Sequence, residues 1–320
     1  MRHARQVLAI VCPGQGSQTP GFLTPWLELA GVRDRAAAMA EATGIDLIAH
    51  GTISDEETIK DTGVAQPLIV AAGLLTLPVV LGATGIGAAD VVAGHSVGEI
   101  TAAGAAGVLT DADAIGFVAR RAAGMAAASA VTPTGMSAVL GGVADDVVAA
   151  LTELGLTPAN MNGAGQIVAA GTLDQLAALA DNPPAKTRVI PLKVAGAFHT
   201  QHMAPAVAEL AAFAETLAPA SPAVTILSNA DGTAVADGAD ILGRLVSQVT
   251  SPVRWDLCMD AMLALGVTGL LELAPAGTLV GLAKRGMKGV ESVALKTPDD
   301  LDAAAALIAA HSHTSPSANA

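Results

Sequence analysis

The chain has 320 residues, enough for one large domain or for a large domain carrying an insertion. Apolar residues make up 52% of it and aromatic residues 2%, so the core has to be built from Ala, Val, Leu and Ile. A formal net charge of −13 argues against broad nucleic-acid binding, which needs Lys and Arg to displace phosphate counterions. The two cysteines, Cys12 and Cys258, are far apart and lack metal-ligand spacing. No disulfide framework, metal or bound cofactor is expected, and a reducing cytoplasm fits.

At the start, "MRHARQVLAIVCPGQ" carries an apolar run too short for a secretory signal. Gln6–Val11 reads as a buried central strand that ends in the glycine-rich turn "PGQGSQ". That turn is no phosphate loop. Thr19 stands where G-x-G-x-x-G needs glycine, and no Gly-Lys-Ser/Thr occurs. Its exposed backbone N–H groups suit half of an oxyanion hole. Helices follow at Arg33–Thr43 and Ala65–Leu81. Val64–Ala89 has no charged residue and the length of a membrane span, but Pro67, Gly73, Pro78, Gly82, Gly85 and Gly87 divide it. A buried helix followed by a glycine-rich loop is the better reading, and no membrane contact is expected.

"ADVVAGHS" is a second buried strand, and a helix is expected over Gly98–Gly107. Between them, Gly94-His95-Ser96-Val97-Gly98 fits G-x-S-x-G, in which glycines let a strand turn abruptly into a helix and expose the serine hydroxyl. Ser96 is the candidate nucleophile, at a helix N-terminus whose N–H groups favour developing negative charge. The Val97 N–H would supply the other half of the oxyanion hole. His95 is placed as a pocket-lining residue. Thr110 caps a helix running through Ala128, with Asp113 at capping-box spacing. Arg120 and Arg121 interrupt this apolar helix; at 100° per residue they cannot point the same way, so one is free to face inward.

The middle of the chain, residues 133–194, reads β-α-β-β-α-β, a ferredoxin-like subdomain inserted into an α/β domain formed by 1–132 and 195–310. A serine nucleophile needs a base. His199, in "VAGAFHTQHM", follows a strand and a glycine-bearing loop; His202, three residues on, competes with it. Activity is expected to fall between pH 8 and pH 5 as this imidazole protonates. A helix near Ala204–Leu217, the strand "VTILSN", a helix from Asp240 and the strand "GLLELA" complete the domain. Residues 311–320, polar and small, are read as a disordered tail.

Eight ordered segments together resemble the malonyl-CoA:acyl-carrier-protein transacylase family, which includes the acyltransferase domains of fatty-acid and polyketide synthases. They are "PGQGSQ", "VAQPLI", "GHSVGE", the arginine helix, "GAFHT", "SNADG", "QVTSPVRW" and "GTLVGLAKR". The resemblance implies an α/β-hydrolase-like fold with a ferredoxin-like insertion. It implies that Ser96 takes the acyl group with His199 as base, and that Gln15 and Val97 give the oxyanion-hole N–H groups. It further implies that Arg121, rather than Arg120, holds the malonate carboxylate, and that the Gln248 carbonyl orients the histidine. Phe198 before the histidine and Val97 after the serine suggest malonyl over methylmalonyl selection.

The implied reaction is ping-pong, from malonyl-CoA to the phosphopantetheine thiol of an acyl carrier protein. Such carriers are acidic, so Lys284, Arg285 and Lys288 are candidate docking residues, with Lys193 and Arg188 next. A monomer is expected. The competing readings are a serine esterase or thioesterase, and a carrier-binding module without activity.

Overall fold

Leu8–Cys12 is an uninterrupted apolar run, and as strand β1 all of it is buried. Continuous burial of this kind marks a parallel strand covered on both faces. The computed structural model describes residues 6–312. Around β1 it assembles a six-stranded sheet with Val91–Gly94 (β2), Thr225–Leu227 (β7), Ala234–Val235 (β8), Gly269–Glu272 (β10) and Glu291–Ala294 (β11). The order is β11-β10-β1-β2-β7-β8, parallel except for β8 at one edge. Because β1 has β10 on one side and β2 on the other, the chain crosses to both sides of it. The crevice beyond the strand ends at Cys12 and Gly94 is where such sheets place ligands.

A second sheet contains Thr134–Gly141 (β3), Thr157–Met161 (β4), Gln166–Thr172 (β5) and Thr187–Pro191 (β6), mutually antiparallel. Its helices, Ala144–Glu153 and Leu173–Asp181, bury one face through Val139, Val147, Leu151, Ile167, Leu176 and Leu179. The alternate residues Met136, Val168 and Ala170 turn to the larger core. The order is β6-β3-β5-β4-β9, where β9 is Val253–Arg254 and runs parallel to β4. The later part of the chain thus lends this second sheet an edge strand, a two-residue pairing too short for any periodicity to announce.

The charge-free segment forms a helix at Thr62–Leu81, followed by a 3-10 stretch at Gly82–Ala88. Thr62–Ala88 is long and apolar enough to cross a membrane. Its residues Ala65–Thr76 are all buried in the protein, however, in the core shared with the helices Gly98–Ala105 and Asp111–Ser129. Thr110 caps the last of these as expected, accepting the Asp113 N–H at 3.1 Å.

Two expectations need correction. The helix near Ala204–Leu217 is two pieces, a 3-10 helix Gln201–Ala206 containing Pro205 and an α-helix Val207–Ala214; proline lacks the N–H that a continuous helix would use. His311 does not begin a disordered tail. It closes the helix Leu301–His311, is buried, and hydrogen-bonds Thr268 at 2.8 Å and Glu291 at 3.1 Å. The rest of that predicted tail from 313 onward lies outside the described residues, as does His3.

The turn from β2 into the helix Gly98–Ala105 depends on two glycines. A Cβ on Gly94 would sit 2.0 Å from the Gly98 carbonyl carbon, and one on Gly98 would sit 2.2 Å from the Cys12 oxygen. Both clashes are with backbone, which cannot rotate away. Gly98→Ala is therefore expected to lose about 3 kcal/mol of stability, the upper end of ordinary overpacking penalties. Urea unfolding checks this, and an unchanged midpoint would refute the close approach.

Candidate active site

Ser96 occupies the tip of this turn with φ at 53°, in the left-handed region that residues other than glycine avoid. His199 is held the same way, at φ 62°. Each such residue costs on the order of 1–3 kcal/mol and persists only where its surroundings over-determine it. Here the two strained residues meet, with Ser96 Oγ 2.7 Å from His199 Nε2. The His199 Nδ1–H donates to the Gln248 carbonyl at 2.9 Å. A carbonyl can only accept, so this bond fixes the tautomer and leaves Nε2 as the free acceptor for the serine proton.

Arg121 settles which arginine turns inward. It is fully buried, whereas Arg120 is exposed and lies over the Phe213 ring at 3.7 Å. The Arg121 guanidinium donates to Gln66 Oε1 at 2.5 Å, to Gln248 Oε1 at 2.8 Å and to Ser96 Oγ at 3.4 Å. Its Nε–H is buried without a partner, and among the described residues Arg121 forms no ion pair. Burial lowers its pKa to about 10, opposed by the charge of Glu99.

These groups open onto a cavity of about 520 Å³, including the space at its mouth. Gln15, His95, Val97 and Phe198 line it, together with Met125, Met136, Asn160, Leu192 and Val194. Among the described residues neither the Gln15 N–H nor the Val97 N–H has a hydrogen-bond partner, so both remain free donors beside Ser96. His95 turns away from Ser96: its Nε2–H donates to Asn162 Oδ1 at 2.8 Å and its ring tilts against Trp255. His202 does not line the cavity, and its backbone N–H caps onto Thr200 Oγ1. Lys284, Arg285 and Lys288 are exposed but do not line the cavity either, and Arg285 donates to Gln166 at 3.1 Å. Exposed Lys193 stands in sequence between the lining residues Leu192 and Val194. Among the described residues, no three His, Cys, Asp or Glu side chains gather as a metal site would need.

Four residues of this network were not singled out from the sequence: Gln66, Glu99, Asn160 and Asn229. Three of them sit inside segments that the resemblance quotes, "VAQPLI", "GHSVGE" and "SNADG", but nothing in those short strings shows which side chain turns inward. Asn229 Oδ1 accepts the Ser96 N–H at 2.8 Å, and its Nδ2 donates to the Gly94 carbonyl at 2.7 Å. Glu99 is buried in the first turn of the helix after the serine. Burial raises its pKa to about 8, against the lowering effects of Asn229, Gln248 and Arg121.

A serine backed by a histidine, with two free backbone donors and a buried cation beside it, at the end of parallel strands, defines a nucleophilic acyl-transfer site. The acyl transferase domain model matches residues 9–312. A malonyl CoA-acyl carrier protein transacylase of Mycobacterium tuberculosis is 52% identical over 297 residues, which is 92% of this chain and 98% of the relative. A crystal structure of that organism's enzyme superposes with a TM-score of 0.90, covering 93% of this chain and 99% of the other. A malonyl-transacylase solved with a type II polyketide-synthase acyl-carrier protein is 29% identical, with a TM-score of 0.87, covering 94% and 99%. The chain belongs to the acyl transferase family, among its malonyl-CoA:acyl-carrier-protein transacylases.

The structure revises the expected pH dependence. Burial, reinforced by the Arg121 charge, pushes the His199 pKa from 6.5 down to about 3. A depressed pKa keeps the imidazole neutral, and able to accept a proton, at every pH above that value. The kcat/KM for acylation is therefore expected to stay level from pH 8 to pH 5, and to drop only as the pH approaches the lowered pKa. Stopped-time assays over the range in which circular dichroism shows folded protein check this. A half-loss near pH 6.5 would mean that His199 titrates as a free imidazole.

Proposed function

We propose that the protein moves the malonyl group from CoA to an acyl carrier protein through a malonyl ester on Ser96. In the first half-reaction Ser96 Oγ attacks the thioester carbonyl while His199 Nε2 takes its proton. The tetrahedral oxyanion lies between the N–H groups of Gln15 and Val97, where no donor has to be broken free from another partner. The carbon–sulfur bond breaks, and the CoA sulfur leaves with the proton from His199. In the second half-reaction the carrier's phosphopantetheine thiol gives its proton to His199 and attacks the ester. Ser96 recovers its proton as the malonyl thioester departs.

The observation that carries this reading is the state of Arg121. A buried guanidinium without an ion pair, and with an unpartnered Nε–H, is an anion site beside the nucleophile. A malonyl carboxylate supplies that anion bidentately, whereas an ordinary ester or acetyl group would leave the cation uncompensated. Phe198 and Val97 in the lining fit the expectation that an α-methyl group is disfavoured. One methylene is worth only about 1–3 kcal/mol in such a pocket, so the selection is partial.

The wider expectations are part of the same proposal. The β-α-β-β-α-β order and the strand order β6-β3-β5-β4 support a ferredoxin-like insertion at 133–194 in an α/β-hydrolase-like unit. Both cysteines are buried and unbridged, which supports a reducing cytoplasm. An active monomer is part of the same proposal. The carrier is read as docking its acidic surface near the mouth, with Lys193, Lys284, Arg285, Lys288 and Arg188 as the basic surface.

Intact-mass measurement after incubation with malonyl-CoA is expected to show one malonyl adduct, lost in Ser96→Ala. No adduct on the wild-type protein would overturn the proposal in favour of a carrier-binding module. Arg121→Ala is expected to slow malonylation by about 10- to 100-fold, the worth of a charged hydrogen-bonded contact, while leaving acetylation nearly intact. Equal losses with both acyl groups would remove the carboxylate-anchor role. His199→Ala is expected to cost about 10²–10⁴-fold with either donor, and His202→Ala far less. The reverse ranking would reassign the base.

A further inference from the structure

Glu99 has no part in the chemistry just described, yet its carboxyl group touches both halves of the site. One oxygen, Oε1, accepts the Asn229 backbone N–H at 2.6 Å, and the Asn229 side chain in turn holds the Ser96 N–H and the Gly94 carbonyl. The other oxygen, Oε2, accepts from Gln248 Nε2. The same Gln248 nitrogen donates to the Ser96 carbonyl at 3.1 Å, while Gln248 Oε1 receives Arg121 and the Gln248 carbonyl receives His199. We propose that Glu99 is a positioning residue for the acyl-carboxylate clamp: it sets the polarity of the Gln248 amide and so aims the Arg121 guanidinium at the acyl group on Ser96.

The inference rests on the malonyl-transfer reading above, but on different atoms. An amide has one accepting and one donating end, and Gln248 stands between a pure donor, Arg121, and the oxygens of Glu99 and Ser96. Only one orientation satisfies both sides. Both Glu99 oxygens face N–H groups, so each acts as an acceptor, Oε1 from Asn229 and Oε2 from Gln248. An amide nitrogen in that place would not, since it would set two donors against each other. If Gln248 then turned round, its Nε2 would face the Arg121 N–H groups instead. Either way the guanidinium loses a fixed acceptor inside a buried site, where a misdirected polar group is costly.

Glu99→Gln isolates this effect. It keeps the size of the side chain, and it leaves the amide oxygen free to go on accepting the Asn229 N–H, so the serine turn stays supported. The remaining charged and titratable groups around Glu99 are unchanged in the variant. They are Arg121, Cys258, and Arg244 with its partners Asp231 and Asp240.

The test compares the rates of malonylation and acetylation of Ser96, each measured by rapid quench and intact mass, in wild type and in Glu99→Gln. Malonylation is expected to slow about 10- to 100-fold. Acetylation, which makes no use of the guanidinium, is expected to fall no more than about threefold. In an Arg121→Ala background the same substitution should have almost no further effect on malonylation, because the element it aims is gone. Equal slowing of both acyl groups, or full additivity with Arg121→Ala, would overturn the proposal and leave Glu99 a general support of the fold. Unchanged malonylation would overturn it as well. Should Glu99→Gln not fold, Glu99→Asp withdraws the carboxylate by one methylene and is read by the same ratio. Absence of any acyl adduct on wild-type Ser96 is a separate outcome that refutes the transfer reaction itself.

Discussion

Everything in the site hangs on the reversal of the chain at Ser96. A β-strand buried on both faces has to become a helix within three residues, and it does so by putting a serine in the left-handed region between two glycines packed on backbone. The strain is offset by the bonds around it: Asn229 takes the Ser96 N–H, Gln248 donates to its carbonyl, and the helix that follows packs on β1. In exchange the hydroxyl stands at the end of β1 and β2, in the cavity that Gln15 and Val97 also line. His199 is strained in the same sense and is pinned by the Gln248 carbonyl. Two costly backbone conformations are thus kept because they face each other.

The second organising fact is a charge without a counter-charge. Arg121 is surrounded by amide oxygens from Gln66 and Gln248 rather than by a carboxylate in direct contact. Glu99 lies behind the Gln248 amide rather than against the guanidinium, and burial raises its pKa to about 8. A buried cation held this way costs stability, and in the proposed reaction the malonyl carboxylate would relieve that cost. A specificity device of this kind works by leaving something unpaired until the right ligand arrives.

Much of this was legible in the chain. The glycine spacing around Ser96 announced a turn whose geometry only glycine permits, and the apolar runs at Leu8–Cys12 and Val91–Gly94 announced buried parallel strands. The β-α-β-β-α-β middle was visible because its strands and helices differ in period. What escaped has a common cause. Glu99, Gln66 and Asn229 act through the direction of single side chains across distances of 55 to 149 positions in sequence, and no local pattern encodes which way a polar residue turns. The strand Val253–Arg254 escaped for a similar reason, since its two residues pair with β4 far earlier in the chain. His311 was misplaced because a polar, small-residue ending hid a helix packed on the sheet.

The acceptor behind His199 bears on the choice between transfer and hydrolysis. A carboxylate there would stabilise the imidazolium and make the histidine a stronger base. The Gln248 carbonyl does so far less, and Arg121 opposes the imidazolium further. In the second half-reaction the incoming nucleophile gives its proton to this weak base, which asks far less of a thiol, whose pKa is about 8.5, than of water, whose pKa is about 15.7. Both partners of the proposed exchange are thiols, CoA as leaving group and phosphopantetheine as nucleophile. A Ser96 ester, as proposed, would therefore be opened more readily by a carrier thiol than by water, so the neutral acceptor behind the histidine favours transferase over esterase chemistry.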